Sequence, residues 1–199
     1  IEGFSREDCD RLAVESQRRA AAAIDAGRFK RSVVPIYNDD GTLALDHDEH
    51  PRPGTTLESL AGLNPSFAKM GIMVPPNDTR TYDDICKAVY PQVTEMIHVH
   101  HAGNSSGVVD GASALVLASP EYAKAHGLKP RARIIQTATA GAEPVIMLTA
   151  PAPATQMALK KAGMRKEDID IIEVNEAFAA VVLKFQREMG IDNSICNVN

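Results

Sequence analysis

Residues Ala112 to Ala118 read Ala-Ser-Ala-Leu-Val-Leu-Ala, a stretch with almost no polar break. A half-exposed strand alternates apolar and polar residues, so a run without alternation predicts a strand buried on both faces. Such a strand needs covering layers above and below it, which directs the chain toward a layered α/β architecture. The flanks agree. Arg131 to Thr139 and Ile169 to Val174 read as further strands, and the latter runs directly into a helical pattern from Glu176 to Met189.

The other elements are signalled locally. Ser5 precedes Arg6-Glu7-Asp8 as a helix cap, Cys9, Leu12, Ala13, Ala20 and Ile24 follow at helical spacing, and Gly27 stops the helix. Ser32 to Ile36 is strand-like, Asn38-Asp39-Asp40-Gly41 is a turn, and Thr42 to Leu45 can pair back. Residues 50 to 79 are irregular, with a short helix near Thr56 to Leu63. A helix opens at Thr81 and ends at Pro91, and Met96 to His101 is extended. Ser119-Pro120 starts a short helix closed by Gly127, and Ala154 to Ala162 forms another that ends at Gly163.

Composition narrows the function. The 199 residues are 44% hydrophobic and 24% charged, with a formal charge of -5 and a pI near 5.7, so no net charge draws the chain to nucleic acid or anionic membranes. No apolar run approaches the roughly 18 residues of a bilayer span, and no secretory signal is legible. Cys9, Cys86 and Cys196 are few, scattered and odd in number, which fits a reducing compartment, the cytoplasm or an organellar matrix, rather than a disulfide scaffold. The start at Ile1 and the end at Asn197-Val198-Asn199 read as part of something longer.

Two segments carry chemistry. Asn175-Glu176-Ala177-Phe178-Ala179 places a polar pair where a buried strand meets a helix, a common position for ligands in α/β folds. Asn175 is equally suited to be the helix N-cap. Ala102-Gly103-Asn104-Ser105-Ser106-Gly107 combines close-approach glycines with hydroxyl and amide groups, although such clusters also serve as plain turns. His98 and His100 face one way on an extended segment, as a metal pair would. No third ligand stands at a suitable spacing, so no metal is expected, and satisfied polar groups fit better. The charges of the first helix, Arg6, Glu7, Asp10, Arg11, Glu15, Arg18 and Arg19, read as a solvated face.

In order along the chain, Ser5-Arg6-Glu7-Asp8, Gly27-Arg28-Phe29-Lys30, Arg52-Pro53-Gly54-Thr55-Thr56-Leu57, the loop at 102–107, Asp110-Gly111-Ala112, Asn175 to Ala179 and the closing Asn197-Val198-Asn199 resemble the thiolase family. Each motif is weak alone; the ordered set is specific. The resemblance implies a thiolase-like layered αβαβα fold, present in part. Residues 1–106 would belong to the loop and substrate-covering domain, 107–127 to the end of the N-terminal half, and 128–199 to the start of the C-terminal half.

The resemblance further implies reversible thiolytic cleavage of 3-ketoacyl-CoA through a cysteine acyl-enzyme, with coenzyme A as substrate and no cofactor. Asn175 would hold a water that forms an oxyanion hole with a histidine. Ala177 and Phe178 would line the acyl and pantetheine end, and Ser106, Ala102 and Gly103 the pantetheine arm. Arg52 would lie near the nucleotide, with Ser59, Leu63, Ser66 and Phe67 along the same groove. The nucleophilic cysteine, the histidine base and a second cysteine would lie outside this chain, so Cys9, Cys86 and Cys196 are incidental. The 199 residues alone are therefore expected to show no turnover, to bind coenzyme A weakly at best and to be prone to aggregation.

One departure is the length between Phe67 and Ala102, greater than in compact biosynthetic thiolases, which points to bulkier acyl groups. Intact, such a protein would be a dimer or tetramer acting on acyl-CoA, without nucleic-acid or membrane partners. The rival reading is a non-catalytic thiolase-like protein that binds acyl-CoA or lipid, since fold alone does not fix function. A ketoacyl synthase typically carries His where Asn175 stands, which disfavours that relative.

Overall fold

A computed structural model describes residues 1–199. The first helix, α1 (Arg6–Asp25), is the spine on which the rest is assembled. It starts where Ser5 and Asp8 cap each other, the Ser5 hydroxyl accepting from the Asp8 N–H and the Asp8 carboxylate accepting from the Ser5 N–H. Gly27 follows at φ 68°, a left-handed turn that glycine enters without a Cβ clash.

A short exposed hairpin comes next. β1 (Ile36–Tyr37) pairs antiparallel with β2 (Leu43–Leu45) across the Asn38–Gly41 turn, so the strand expected from Ser32 is shorter and begins later. Three small helices follow: α2 (Leu57–Ala61), capped by Thr56; α3 (Ala68–Gly71); and α4 (Tyr82–Val89), capped by Thr81. α3 has no side-chain cap and only four residues, too little signal for sequence periodicity to reveal. A single 3₁₀ turn spans Ala102–Asn104.

α5 (Pro120–Ala125) is capped by Ser119, with Pro at its first position where a missing N–H costs nothing. α6 (Pro151–Ala162) also starts on a proline, three residues before the expected Ala154, and ends at Gly163 in the left-handed region. α7 (Ala179–Met189) ends the same way at Gly190, but starts at Ala179 rather than Glu176.

The packed core is small and lies where α1, α6 and α7 meet. Ala152, Val174, Val182, Phe185, Met189 and Cys196 are buried together, with Leu12, Leu159, Ile172 and Ile191 against them. Val182, Phe185 and Met189 stand at i, i+3 and i+7 of α7, one stripe of the helix. Beneath them Ile172 makes a parallel bridge to Cys196: the Ile172 N–H donates to the Ile195 carbonyl (2.8 Å) and the Asn197 N–H donates to the Ile172 carbonyl (2.9 Å). That is the only strand pairing formed by the expected strand at 169–174.

The other two expected strands do not form. Ala112–Ala118 and Arg131–Thr139 have no hydrogen-bonded neighbour, and Leu115, Val116 and Ile134 are 90%, 92% and 65% exposed. The reason is cooperative. A central strand is defined by partners on both edges and cover on both faces, and none of the 199 residues supplies either to these segments. No helix is long and apolar enough to cross a membrane.

Candidate active site

The loop expected to contact a ligand is held from beneath by a buried polar cluster on α1. The Asp10 carboxylate accepts from Arg6 Nε (2.9 Å), His101 Nε2 (2.7 Å) and Asn104 Nδ2 (2.8 Å). His101 is completely shut off from solvent and Asp10 and Asn104 nearly so. The Gly103 N–H donates to His101 Nδ1 (3.1 Å), which fixes the tautomer with the proton on Nε2, facing Asp10. Burial pushes the Asp10 carboxyl up, but the hydrogen bonds from Arg6, His101 and Asn104 outweigh it and hold its pKa below the ordinary value. Arg6 also donates to the carbonyls of Leu60 (2.7 Å) and Leu63 (2.9 Å), so one guanidinium ties α1, α2 and the loop together. Asp10, Arg6 and Arg19 therefore do not belong to a solvated face: each spends its charge inside the structure.

A second network fixes the segment around Asn175. The Val174 N–H donates to Asn197 Oδ1 (2.7 Å), while Asn197 Nδ2 donates to the Val174 carbonyl (2.9 Å) and to Glu176 Oε1 (2.8 Å). The Ser16 hydroxyl closes it on Glu176 Oε2 (2.6 Å). Arg19 holds the far side, donating to the carbonyls of Cys196, Asn197 and Asn193. Asn175 itself is exposed, clamped between two held neighbours. It is not the cap of α7, because Phe178 occupies that position without a side-chain bond.

The two segments meet. Ser105 forms an antiparallel bridge to Phe178, and the Ser106 N–H donates to the Ala177 carbonyl (3.0 Å). Phe67 stands edge-on to Phe178 with ring centroids 5.7 Å apart, and His100 edge-on at 5.1 Å. The Ser66 N–H donates to the His100 carbonyl (2.9 Å). Ser66, Phe67, Ser106, Ala177 and Phe178 thus converge on one apolar-walled spot, with Ala102 exposed and Gly103 beside Leu63.

Two expected contacts stand differently. The Ser59 hydroxyl donates to the Thr56 carbonyl and accepts from its N–H, so it is engaged in capping α2. The Arg52 guanidinium is exposed but folded onto the carbonyls of Glu49, His50 and Pro51. An open cleft of about 520 Å³ beside α1 and α2 is lined by Arg6, Glu7, Asp10, Leu57, Glu58 and Ala61. Its three carboxylates suit no phosphate.

The glycine at 103 is required by packing. A Cβ there would stand 2.4 Å from Leu60 Cδ2 and 3.0 Å from Leu63 Cδ1, and Leu60 is buried. Gly103→Ala is expected to cost about 1–3 kcal/mol by overpacking, read as a lowered denaturant midpoint. An unchanged midpoint would show that the leucines can move aside.

No cysteine here is poised as a nucleophile. Burial, then the neighbouring Asp10 and Asp8, push the Cys9 thiol up to about 11; burial likewise raises Cys86 and Cys196. The three histidines go to separate environments, His98 to Asp83 (3.1 Å), His101 to Asp10 and His100 to Phe178, and no cluster of three His, Cys, Asp or Glu is grouped to hold a metal.

Sequence reading put Asp10 on a solvated face, gave Asn197 no holding role and named Asn104 only as a loop amide; it expected the histidines before the loop to be satisfied polar groups, and His98 and His101 have carboxylate partners while Nε2 of His100 has none. A signal existed for the first: Asp10 stands three residues before the small apolar Ala13 and four after Arg6, on the inward face of α1.

Residues 2–84 match the family model for the thiolase N-terminal domain and residues 128–199 that for the thiolase C-terminal domain. The chain is 42% identical over 199 residues to the 3-oxoadipyl-CoA/3-oxo-5,6-dehydrosuberyl-CoA thiolase of Escherichia coli (strain K12), covering 98% of this chain and 43% of that protein. This chain belongs to the thiolase family. It is also 41% identical to the mitochondrial 3-ketoacyl-CoA thiolase of Homo sapiens, again over 98% of this chain and 43% of the relative. The crystal structure of human mitochondrial 3-ketoacyl-CoA thiolase superposes with a TM-score of 0.79 at 40% identity, covering 98% of this chain and 43% of that one. The same enzyme in complex with CoA superposes with a TM-score of 0.78 at 39% identity, over 98% and 42% of the two chains. The thiolase chain described here thus spans less than half the length of these relatives, and it follows the course of their α/β fold even where its strands lack partners.

Proposed function

We propose that the whole protein is an acyl-CoA C-acyltransferase of the thiolase type, which cleaves 3-ketoacyl-CoA with coenzyme A to acetyl-CoA and a shortened acyl-CoA. The observation that carries this reading is the bridge that joins the Gly/Ser loop to Ala177 and Phe178, with Asn175 exposed at its edge. Phe67 and Phe178 offer an apolar wall to a pantetheine and acyl chain, and the exposed Ser106 hydroxyl offers one polar contact. Asn175 is the donor for an oxyanion. Its neighbours are fixed before the reaction, so a donor amide or a water on it can meet charge developing on the thioester oxygen without reorganisation.

Thiolysis needs a thiolate that attacks the ketone carbon and breaks its bond to the neighbouring carbon, so that acetyl-CoA departs as an enolate that takes a proton and the acyl group stays on sulfur until coenzyme A takes it. The thiolase resemblance implies that this thiolate lies outside residues 1–199, and the raised thiol pKa of Cys9, Cys86 and Cys196 agrees with their being incidental. The segment between Phe67 and Ala102, with α3 and α4, covers the acyl side, and the intact protein assembles as a dimer or tetramer. The test is a thiolysis assay on the whole protein, following disappearance of a 3-ketoacyl-CoA on addition of coenzyme A. Coenzyme A-dependent formation of acetyl-CoA is expected. Tight acyl-CoA binding without cleavage would instead make it a thiolase-like binding protein.

A further inference from the structure

Between Phe67 and His100 the chain leaves the site and returns to it. Phe67 and His100 both stand edge-on to Phe178, with ring centroids 5.7 Å and 5.1 Å away, and the Ser66 N–H donates to the His100 carbonyl at 2.9 Å, so the excursion is pinned at its neck. It has almost no core of its own. From Phe67 to Val99 the only fully buried residue is Gly71, while Met70, Ile72, Met73 and Val74 are exposed. Gly71 lies beneath a polar pair. His98 Nε2 is 3.1 Å from Asp83 Oδ2, and because a carboxylate only accepts, the histidine donates. A Cβ on Gly71 would stand 2.5 Å from Asp83 Oδ1 and 2.6 Å from His98 Nε2, so the pair fits only over a glycine. The other side-chain bonds of the excursion are local, Arg80 to Asp78 and Thr81 and Lys87 to Asp84, or lead out of it, Tyr90 to Glu143. The pair is thus the one side-chain tie between the returning limb and the helices α3 and α4.

That tie leads to the apolar wall at both ends. The Gly71 N–H donates to the Phe67 carbonyl at 2.8 Å, and α3, with four residues and no side-chain cap, has little else to hold Phe67 in place. His98 stands two residues before His100 on the same limb, so holding it also holds the His100 ring. We propose that His98 and Asp83, seated over Gly71, are a positioning pair that keeps Phe67 and His100 against Phe178 and so sets how well the enzyme tells a long acyl chain from a short one. This rests on the thiolase reading above, in which Phe178 faces the acyl end. Neither member touches substrate; both act through the rings. An apolar wall is effective only while it is held, because a gap of about 1 Å already forfeits much of the dispersion attraction. A well-formed apolar site values one methylene at roughly tenfold or more. A short chain that ends before the wall gains nothing from the pair.

The test follows acetoacetyl-CoA and 3-ketooctanoyl-CoA on the whole enzyme in the wild type, His98→Leu, Asp83→Ala, the double variant and Asp83→Asn. His98→Leu and Asp83→Ala are each expected to raise KM for 3-ketooctanoyl-CoA at least about fivefold, leaving kcat on both substrates and KM for acetoacetyl-CoA within about twofold. The double variant should be no worse than either single one, because the two side chains act as a unit. Asp83→Asn keeps an acceptor for His98 and should hold KM near the wild type. Gly71→Ala should copy the loss by displacing the pair, although alanine is the better helix former. Amide hydrogen exchange at Gly71, whose N–H is bonded to Phe67, should quicken in His98→Leu and Asp83→Ala. A ratio of the two KM values unchanged within about twofold in both single variants overturns the proposal. So does an equal loss on both substrates with a lowered thermal midpoint, which would make the pair a brace of the fold alone. If the wild type cleaves neither substrate, the thiolase reading fails, and exchange at Gly71 decides by itself: quickened, the pair holds Phe67; unchanged, it does not.

Discussion

Replacing Asp10 by alanine is expected to lower the stability of the whole protein by about 3–5 kcal/mol, the usual consequence of removing one member of a buried charged pair. Three donors converge on this carboxylate, Arg6 through Nε, His101 through Nε2 and Asn104 through Nδ2, and of these Asn104 alone has a second acceptor, the Val99 carbonyl at 3.2 Å. His101 is wholly buried, so its N–H would be left without a partner. The damage should spread to the loop, because Gly103 and Asn104 are positioned through His101. Asp10→Asn keeps the shape and one acceptor but not the charge on Arg6, and should lose less.

The same carboxylate gives the fold an acid sensitivity of definite sign. Its folded pKa is depressed, so its contribution is complete above the unfolded value of about 3.9 and disappears as pH falls through the lower folded value. Asp10→Asn should therefore flatten the acid limb of the stability profile while leaving its shape at neutral pH alone. Equilibrium denaturation across pH checks both statements. A loss below about 1 kcal/mol for Asp10→Ala would mean that water replaces the carboxylate and that the cluster is not dry.

How far the sequence shows the structure follows from the range of the interactions involved. Ser5 with Asp8, Thr81, Ser119, Gly163 and Gly190 mark helix ends that are where their patterns put them, because a cap and its target lie within one turn. The start of α7 moved from Glu176 to Ala179, because Glu176 is drawn to Ser16 and Asn197 instead of continuing the helix. Strands at Ala112–Ala118 and Arg131–Thr139 have the composition of buried strands but no neighbours here, and composition cannot report a missing neighbour.

The site divides the same way. The 102–106 loop and the segment from Asn175 to Phe178 were legible as motifs, and the structure brings Ser106, Ala177, Phe178 and Phe67 together. What holds them was not legible. Asp10 and His101 are 91 residues apart, and each looks like an ordinary surface residue until the other is placed beside it. Arg52 and Ser59, chosen through the resemblance, have their polar groups engaged locally.

Asn197→Gly is expected to reduce kcat of the whole enzyme about 100-fold with little change in KM. Asn197 touches neither Asn175 nor, in the thiolase reading, the substrate; it is a positioning residue. Its amide closes two bonds on the Val174 peptide and one on Glu176, so both neighbours of Asn175 are held by one side chain. An oxyanion donor is effective only when aimed beforehand, and a misplacement of about 1 Å can cost roughly two orders of magnitude.

Glycine is the informative replacement because Asn197 has φ 48°, which glycine adopts freely, so the amide is removed without straining the backbone. The buried Val174 N–H would lose its acceptor, costing about 1–3 kcal/mol in stability as well. The kinetic effect is separated from that loss by counting active sites through the acyl-enzyme burst and expressing kcat per site. Glu176→Gln, which keeps an acceptor oxygen for Asn197 and turns its NH2 to the Ser16 hydroxyl, itself able to accept, should retain kcat within a few-fold. If kcat per active site in Asn197→Gly stays within about twofold of the wild type, the clamp merely stabilises the fold, and Asn175 is aimed by the course of the backbone from Ile172 to Phe178.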